Sequence, residues 1–185
     1  MSYGYEGKLV RLAPLDEEKH FENALRWIND PEVTQHLLVG HFPMSRLAEK
    51  DWFDSRCRAK DDILFAIETL DGDRHIGFSG VHQIDFRHGT AVTGTIIGEK
   101  EMWGRGYGSD AAKVRAYYAF EILGLRLLLS AYFEGNERSR RMQEAAGYRE
   151  CGRIPERFWK NGAYRDEVLT YLDRETWRKA NGPQG

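Results

Sequence analysis

The sequence has little cysteine, no excess of positive charge and no long apolar run. Its 185 residues include two cysteines, Cys57 and Cys151, which stand far apart. A disulfide framework is therefore excluded, and a reducing compartment is the simplest expectation. Lysine and arginine total 27 against 29 aspartate and glutamate. Proteins that hold nucleic acid through its phosphates usually carry a basic excess, so we expect no nucleic-acid partner.

Signals for a membrane or a metal are also missing. The first residues, MSYGYEGKLVRL, lack the apolar core of a signal peptide, and no segment is long and apolar enough to span a bilayer. The six histidines form no HExxH motif and no His/Cys pair at ligand spacing. We therefore expect a cytoplasmic protein that has no membrane partner and binds no metal.

What is present is the composition of a folded globular chain. Hydrophobic residues make up 41% and aromatic residues 12%, and disordered chains are poor in both. No repeat, low-complexity tract or linker divides the sequence. Residues 1–185 are therefore predicted to form a single domain.

The first half of the chain predicts two helices followed by an antiparallel meander. Asp16 is placed to cap a helix that continues to Ile28, and Ser45 to cap a second one. Strand-like runs occupy residues 8–12, 64–70, 75–85 and 91–97, with a tight turn at 71–73. Alternation along the run 75–85 would place five residues on one face: Ile76, Phe78, Gly80, His82 and Ile84.

The second half alternates between helix and strand. Helical periodicity covers residues 107–123, an apolar run at 125–133 indicates a buried strand, and residues 136–146 predict another helix closed by Gly147. The stretch 168–172 is again strand-like. The predicted fold class is α/β, more narrowly α+β, with a mixed and mostly antiparallel sheet flanked by helices.

The segment WGRGYGSDA at residues 103–111 joins a predicted strand to a predicted helix. Its three alternate glycines let the backbone bend and let a ligand approach closely, and the first amides of a helix attract an anion. This pattern indicates a pyrophosphate-binding loop, and an ordinary strand-to-helix turn is the alternative. The loop has no lysine for a Walker A motif, and its GxGxG spacing does not fit the dinucleotide fingerprint.

With this loop, the chain resembles the GCN5-related N-acetyltransferases (GNAT), and within them the RimJ/RimL-like branch of ribosomal-protein N-terminal acetyltransferases. The other matching segments are RWINDPEV at 26–33, IG at 76–77, NERS at 136–139, AGY at 146–148 and GAYRD at 162–166. The resemblance covers almost the whole chain. It implies a single-domain GNAT-like fold with acetyl-CoA as cosubstrate.

The resemblance also implies a set of cofactor-binding residues. Pyrophosphate would be held by the backbone amides of Arg105, Gly106, Tyr107, Gly108 and Ser109. The pantetheine arm would lie along the strand that ends near Ile97, between it and the strand at 125–133, because these strands diverge in this fold. Asn136 matches the family asparagine that hydrogen-bonds the arm, and it also suits a helix N-cap.

The catalytic groups implied by the resemblance are less complete. Ser139 matches the serine proposed as the acid that protonates the leaving thiolate, and a structural serine in a first helical turn is its alternative interpretation. Many relatives have a tyrosine at the position of Gln143 and a glutamate at that of Val92. Glu156, before the acceptor-side loop 157–162, is one candidate for the general base. The other candidates are His82, Asp85 and Glu99.

The implied reaction is transfer of an acetyl group from acetyl-CoA to a primary amine by direct attack in a ternary complex. Forming the neutral amine at pH 7 costs about 1 kcal/mol for an α-amino group but about 4.6 kcal/mol for a lysine. Since the strand glutamate is absent, we expect an α-amine of a protein or peptide N-terminus. A polyamine or antibiotic acetyltransferase, a non-catalytic acyl-CoA-binding module and a homodimer all stay open.

Overall fold

A computed structural model describes residues 4–38 and 42–181 of the chain. The sheet of these residues contains eight strands. In chain order they are β1 (Tyr5–Glu6), β2 (Val10–Pro14), β3 (Ile63–Thr69), β4 (His75–Asp85), β5 (Thr90–Ile97), β6 (Leu127–Phe133), β7 (Arg149–Lys160) and β8 (Ala163–Asp173).

The strands lie in the order β1-β2-β3-β4-β5-β6-β8-β7. Every neighbouring pair is antiparallel except β5 and β6, which run parallel and are paired only from Thr90↔Leu127 to Val92↔Leu129. Parallel neighbours need a crossover connection, and a helix supplies it here. The predicted mixed, mostly antiparallel sheet is confirmed.

Six α-helices cover the sheet within the described ranges: α1 (Glu17–Ile28), α2 (Pro31–Thr34), α3 (Arg46–Arg58), α4 (Tyr107–Tyr117), α5 (Glu137–Ala145) and α6 (Arg174–Asn181). The predicted caps are confirmed, since the side chains of Asp16 and Ser45 accept hydrogen bonds from the first turns of α1 and α3. The helix predicted for residues 107–123 is α-helical only to Tyr117 and continues as a π-helical turn, Tyr118–Ile122.

The helices divide between the two faces of the sheet. The segments α1, α2 and α3 pack around Trp27, Phe53 and Phe78. On the other face, side chains of α4 and α6 and the end of α5 form a core with β6 and β8 that includes Phe120 and Leu128. No helix of the described residues is long and apolar enough to cross a membrane.

The predicted single face of β4 is wrong at two positions. Phe78 packs on the α1 side, but Ile76 and Ile84 belong to cores on the α4 side. The register with β3 shifts opposite Ile76, and the register with β5 shifts around Gln83, whose φ is 50°. Each irregularity adds a residue to one strand and reverses the faces that follow it. Only the middle of β4, with Gly80, keeps the predicted alternation.

A hairpin of β7 and β8 extends well beyond the strand predicted at 168–172. β7 is exposed along most of its length and is paired on one side only, with β8. Its register shifts near Glu150 and again between Ile154 and Phe158. These irregularities, together with Pro155, break the alternation by which a strand is recognised in a sequence.

Buried polar groups lie beneath α1. The Glu68 carboxylate accepts hydrogen bonds from Arg11 at 2.7 Å and from His20 Nε2 at 3.2 Å. Next to them, His75 Nε2 donates to the Gly77 carbonyl at 2.9 Å. Burial lowers the pKa of both imidazoles, and the pKa of His75 falls to about 3. Both histidines are therefore neutral in the folded protein.

Acid should consequently destabilise the fold before most carboxylates titrate. The unfolded chain takes up the His75 proton near pH 6.5, whereas the folded chain does so only near its pKa of about 3, so stability falls as the pH drops between these values. For this histidine alone, the free energy of unfolding decreases by about 2 kcal/mol from pH 8 to pH 5.

Denaturant titrations at pH 8 and pH 5 test this expectation. His75→Gln should lose less stability between the two pH values than the wild type does. The control His88→Gln alters a side chain that is 62% exposed and should behave as the wild type. Equal losses in the wild type and His75→Gln would contradict the prediction.

Candidate active site

A cavity of about 430 Å³ opens where β5 and β6 diverge. Pairing between the two strands ends at Val92↔Leu129, and the cavity follows the last residues of β5, from Thr95 to Ile97. The end of α2, the loop before α4 and one side of α5 complete its lining. The predicted divergence of these strands is therefore present, although no described residue of β6 itself lines the cavity.

Side-chain hydrogen bonds replace the ladder where the strands part. Thr93 Oγ1 donates to the Leu129 carbonyl at 3.1 Å, and Ser130 Oγ donates to the Thr93 carbonyl at 3.0 Å. Tyr148 adds its hydroxyl 2.8 Å from Thr93 Oγ1. A buried backbone carbonyl without a partner is costly, so these side chains stabilise the end of the parallel pairing.

Arg115 of α4 binds the backbone of β5 at Gly94, the residue after Thr93. Its side chain is completely buried, and its Nη1 donates to the Gly94 carbonyl at 2.6 Å, to Ser79 Oγ at 3.0 Å and to Thr95 Oγ1. Its Nε and Nη2 have no hydrogen-bond partner among the described residues. A buried cation therefore lies directly behind the strand that borders the cavity.

The N-terminus of α4 opens onto the cavity. Gly106 precedes the helix in the left-handed conformation, with φ 90°, and no side chain caps the helix. The amides of Tyr107, Gly108 and Ser109 meet no acceptor in the described part of the chain, and all three residues line the cavity. The first amide bonded within the helix is that of Asp110, to the Gly106 carbonyl at 2.9 Å. The arrangement suits a bound anion.

Asp110 braces this loop from below, which the sequence did not reveal. Its carboxylate accepts hydrogen bonds from the amides of Lys8, Leu9 and Val10 at 3.2, 2.7 and 3.1 Å. The first turn of α4 is thereby tied to the turn between β1 and β2. An acidic residue in a first helical turn is common, so the sequence carries no specific signal for this contact.

Among the described residues, the lining of the cavity is positively charged and contains no carboxylate. Arg138 and Arg141 of α5 both line it, and the Arg138 guanidinium stacks 3.9 Å from the ring centre of Trp103. Trp103 in turn donates its indole N–H to the Ile97 carbonyl at 2.7 Å. Arg140, between the two arginines, is bonded to acidic residues of its own helix and does not reach the cavity.

Asn136 and Ser139 both line the cavity, as the resemblance implied. Asn136 Oδ1 caps α5 by accepting from the Ser139 amide at 3.2 Å, and its Nδ2 donates to the His36 carbonyl at 3.0 Å. Gln143 Nε2 donates to Ser139 Oγ at 3.2 Å, and Gln143 Oε1 accepts from Thr170 Oγ1 at 2.5 Å. Gln143 thus connects the Ser139 hydroxyl to Thr170 of β8 and fixes the position of the serine oxygen.

The structure does not bring the other predicted site residues to the cavity wall. Arg105 lies in the loop between Gly104 and Gly106 but is exposed and outside the lining. Glu156 is exposed on β7 with φ 50°, and its amide donates to Asp166 Oδ1 at 3.0 Å. No described contact joins Glu156 to the cavity. Its role as a base stays a prediction.

The remaining candidates for the base have partners of their own. Glu99 is buried and accepts from Arg26, Arg74 and the Trp27 indole. The other two candidates each belong to an aspartate–histidine pair. Asp85 is hydrogen-bonded to His88, and His82 is hydrogen-bonded to Asp62. The Glu99 carboxylate is therefore held in ion pairs with Arg26 and Arg74. Asp85 and His82 lie in partly exposed pairs, and none of the three residues is in the described cavity lining.

The comparisons with known proteins agree with the geometry. Residues 10–149 match the profile of the acetyltransferase (GNAT) domain. The spermidine N(1)-acetyltransferase of Escherichia coli K12 is 26% identical over 162 residues, which are 86% of this chain and 83% of that protein. YdaF of Bacillus subtilis 168, provisionally named a ribosomal N-acetyltransferase, is 32% identical over 101 residues, only 55% of each chain.

Solved structures show the same fold. The Vibrio cholerae spermidine N-acetyltransferase in complex with CoA and spermine has a TM-score of 0.82 at 20% identity, over 91% of this chain and 97% of that chain. A GCN5-related N-acetyltransferase from Brucella melitensis has a TM-score of 0.77 at 23% identity, over 96% of this chain and 81% of that chain. At such identities the likeness concerns the fold alone.

A side chain at position 108 should block the anion site. A Cβ on Gly108 would lie 3.3 Å from Met142 Sδ and 3.6 Å from Ile97 Cγ1, so the branched side chain of Gly108→Val would project into the lining. We expect acetyl-CoA to bind at least about tenfold more weakly, a loss of about 1.4 kcal/mol. Calorimetric titration measures the affinity, and circular dichroism checks the fold.

The matched control is Gly152→Val on β7, where an added Cβ meets only Leu169 Cδ1 at 3.8 Å. This variant should keep the wild-type affinity. If a folded Gly108→Val protein bound acetyl-CoA with the wild-type affinity, the assignment of the anion site to this loop would be wrong.

Proposed function

Since the chain belongs to the acetyltransferase (GNAT) family, we propose that its acceptor is a primary amine of a small molecule of the polyamine class. The chain is an acetyl-CoA-dependent N-acetyltransferase, so the non-catalytic binding module is disfavoured. The cavity along β5 carries the assignment of acetyl-CoA as donor, and the extent of the similarity to a spermidine acetyltransferase carries the choice of acceptor. One end of the cavity, at the start of α4, is suited to bind an anion, and the acetyl transfer would take place at the other end.

The lining suits the parts of acetyl-CoA in order. The free amides of Tyr107, Gly108 and Ser109 at the start of α4 would hold the pyrophosphate, with Arg138 and Arg141 nearby. Ile97 and Met142 offer an apolar surface to the pantetheine arm, and the amide of Asn136 lies beside it. The thioester would then reach the inner end of the cavity, near Thr95 and Ser139.

Direct attack by the amine fits the groups present. Both cysteines, Cys57 and Cys151, are exposed and lie outside the cavity lining, so nothing supports an acyl-cysteine intermediate. In the ternary complex, the amine nitrogen attacks the thioester carbonyl carbon and the carbon–sulfur bond breaks. The thiolate of CoA leaves and takes up a proton, while the nitrogen loses one.

Ser139 is the group proposed to protonate that thiolate. Its Oγ already accepts the hydrogen bond from Gln143 Nε2, so the hydroxyl proton can point away from Gln143 and into the cavity. A thiol has a pKa near 8.5, so its thiolate is a tolerable leaving group and an acid assists the step without being indispensable.

Ser139→Ala should lower kcat by roughly 10- to 100-fold and leave the affinity for acetyl-CoA unchanged, because the acid acts on the transition state and not on donor binding. A thiol-release assay measures kcat, and titration of acetyl-CoA measures the affinity. The control Ser55→Ala replaces an exposed serine of α3 and should leave both values as in the wild type. An unchanged kcat in Ser139→Ala, under conditions where chemistry limits turnover, would make Ser139 structural.

A small polyamine is favoured as the acceptor by the extent of the similarity. The match to the Escherichia coli spermidine acetyltransferase spans most of both chains, whereas the match to YdaF spans about half of each. The RimJ/RimL-like branch therefore has less support than the superfamily. A polyamine amine is mostly protonated at pH 7, so this proposal requires a group that accepts its proton.

A peptide α-amine is the second candidate, and two observations favour it. Val92 places an apolar side chain on β5, so this position supplies no carboxylate for a cationic amine. Burial, together with the charges of Arg138 and of Lys160 on the β7–β8 hairpin, lowers the pKa of the cavity residue His36, so positive charge faces this wall. An α-amine is also easier to deprotonate at neutral pH.

A panel of amines separates the two candidates. At pH 7 we expect kcat/KM for spermidine to exceed that for a short peptide with a free N-terminus and no lysine by at least about tenfold, a difference of about 1.4 kcal/mol in transition-state binding. An N-acetylated form of the same peptide is the matched control and should release no CoA. The reverse order, with the peptide preferred, would replace the polyamine by the α-amine and leave acetyl-CoA as the donor.

A further inference from the structure

We propose that the imidazole of His82, held by Asp62, is the general base that removes the proton from the attacking amine. This inference rests on the proposed acetyl transfer to an amine and supplies the proton acceptor which that reaction lacks. It replaces Glu156, which is exposed on β7; neither residue is in the described cavity lining, but His82 lies beside β5, the strand that the cavity follows.

The hydrogen bonds of the pair fix the state of the imidazole. His82 Nδ1 lies 2.5 Å from Asp62 Oδ1, and Asp62 Oδ2 accepts from Arg56 Nη1 at 2.9 Å. A carboxylate so placed accepts the Nδ1 proton, which leaves Nε2 as the nitrogen with a free lone pair. Nε2 has no hydrogen-bond partner among the described residues, and the side chain is 29% exposed. A general base needs a nitrogen with a free lone pair and access to the substrate, and His82 has both.

Two glycines make room for the ring. Gly80 of β4 and Gly94 of β5 face each other in the sheet. A Cβ on Gly80 would come 2.0 Å from His82 Nε2, and a Cβ on Gly94 would lie 4.0 Å from the same atom. The imidazole therefore lies across the surface of both strands with Nε2 towards β5. Any larger residue at position 80 would displace it.

This part of β5 is where the reaction should occur. The parallel pairing of β5 with β6 ends at Val92, which is the partner of His82 across β4 and β5. From Thr95 onwards, β5 lines the cavity. Gly94 lies between these points. If pyrophosphate binds at the start of α4 and the arm follows β5 inward, the thioester arrives beside the strand over which Nε2 lies.

The proton balance of the step is simple. The ammonium of the substrate passes one proton to His82 Nε2, which releases it to water. The neutral nitrogen then forms a bond to the carbonyl carbon and loses a second proton to Nε2. The carbon–sulfur bond breaks, and the leaving sulfur takes the proton of Ser139, which is restored from solvent. The imidazolium is stabilised by Asp62 until it releases its proton to water. Acetyl-CoA and the ammonium thus become N-acetylated amine, CoA and one proton that passes to solvent.

The charged groups in contact with the pair are few. Asp62, before β3, bonds to the imidazole, and Arg56, at the end of α3, bonds to the carboxylate. From β5, the facing residues Val92 and Gly94 carry no charge. The state of the imidazole therefore depends on Asp62 more than on any other described side chain, which makes Asp62 a positioning residue for His82.

The chain contains a matched control for this pair. Asp85 and His88 form the same type of contact, with Nδ1 2.7 Å from Oδ2, at the turn after β4. Their side chains are 45% and 62% exposed, and Asp85 is paired with Thr90 at the start of β5, away from Gly94. His88→Gln therefore breaks an equivalent aspartate–histidine pair away from the proposed site.

The test compares His82→Gln, Asp62→Asn and Glu156→Gln with the control His88→Gln, using whichever amine the wild type acetylates fastest. We expect His82→Gln to lower kcat/KM for the amine at pH 7 by about 100-fold or more, as removal of a general base does, with unchanged acetyl-CoA affinity. The deficit should shrink as the pH rises towards 10, where the amine is already neutral, and added imidazole should restore part of the rate. Asp62→Asn should change the pH profile in the same sense but less.

The outcomes are distinguishable. A folded His82→Gln protein with the wild-type kcat/KM at pH 7, or a comparable loss in Glu156→Gln without one in His82→Gln, would overturn the assignment of the base. A pH-independent loss in His82→Gln without rescue by imidazole would overturn it as well and make the residue structural. A wild type that prefers peptides contradicts the proposed acceptor only, because the ratio of variant to wild type is measured on the preferred amine. A wild type that acetylates no amine would overturn both proposals.

Discussion

Three residue pairs of parallel strand, from Thr90↔Leu127 to Val92↔Leu129, determine where this protein can bind a ligand. Had β5 and β6 stayed paired to their ends, no cavity would exist between them. Had they not paired at all, the sheet would be two separate parts. The side chains of Thr93 and Ser130 donate to carbonyls of the opposite strand where the parallel ladder ends. The transition from ladder to open edge is therefore a stable part of the fold.

The same constraint explains a fully buried cation. Arg115 donates to the carbonyl of Gly94, a residue just beyond the parallel pairing. Two of its nitrogens have no partner in the described part of the chain, and no carboxylate pairs with it. Burying a guanidinium without a paired carboxylate is costly, and the three hydrogen bonds that Arg115 donates offset only part of that cost. Here it adds positive charge behind the strand along which an anionic cosubstrate would lie.

Features with a local signal could be predicted from the sequence. The capping side chains of Asp16, Ser45 and Asn136 act over three residues, and the predicted helices begin where these caps indicate. The glycine-rich loop likewise combines a left-handed Gly106 with free amides, as its composition indicates. In each case the interaction and its cause lie within one short segment.

Features that depend on distant partners could not be predicted. The carboxylate of Asp110 binds amides about a hundred positions earlier in the chain, which no periodicity records. The faces of Ile76 and Ile84 depend on register shifts that only pairing with β3 and β5 produces. Although His82 could be named as a candidate from the sequence, its orientation depends on Asp62 and on glycines of two different strands.

The short parallel pairing of β5 with β6 also makes the stability of the fold depend on the bound cosubstrate. The cavity is lined on one side by β5 and on the other by residues that follow β6, such as Asn136 and Ser139. A molecule bound there fastens the two parts of the sheet to each other and binds only the folded chain. At a ligand concentration 100 times Kd, such binding adds about 2.7 kcal/mol to the free energy of unfolding. The free energy of unfolding would then follow the supply of acetyl-CoA, and a fall in the cosubstrate concentration would lower it.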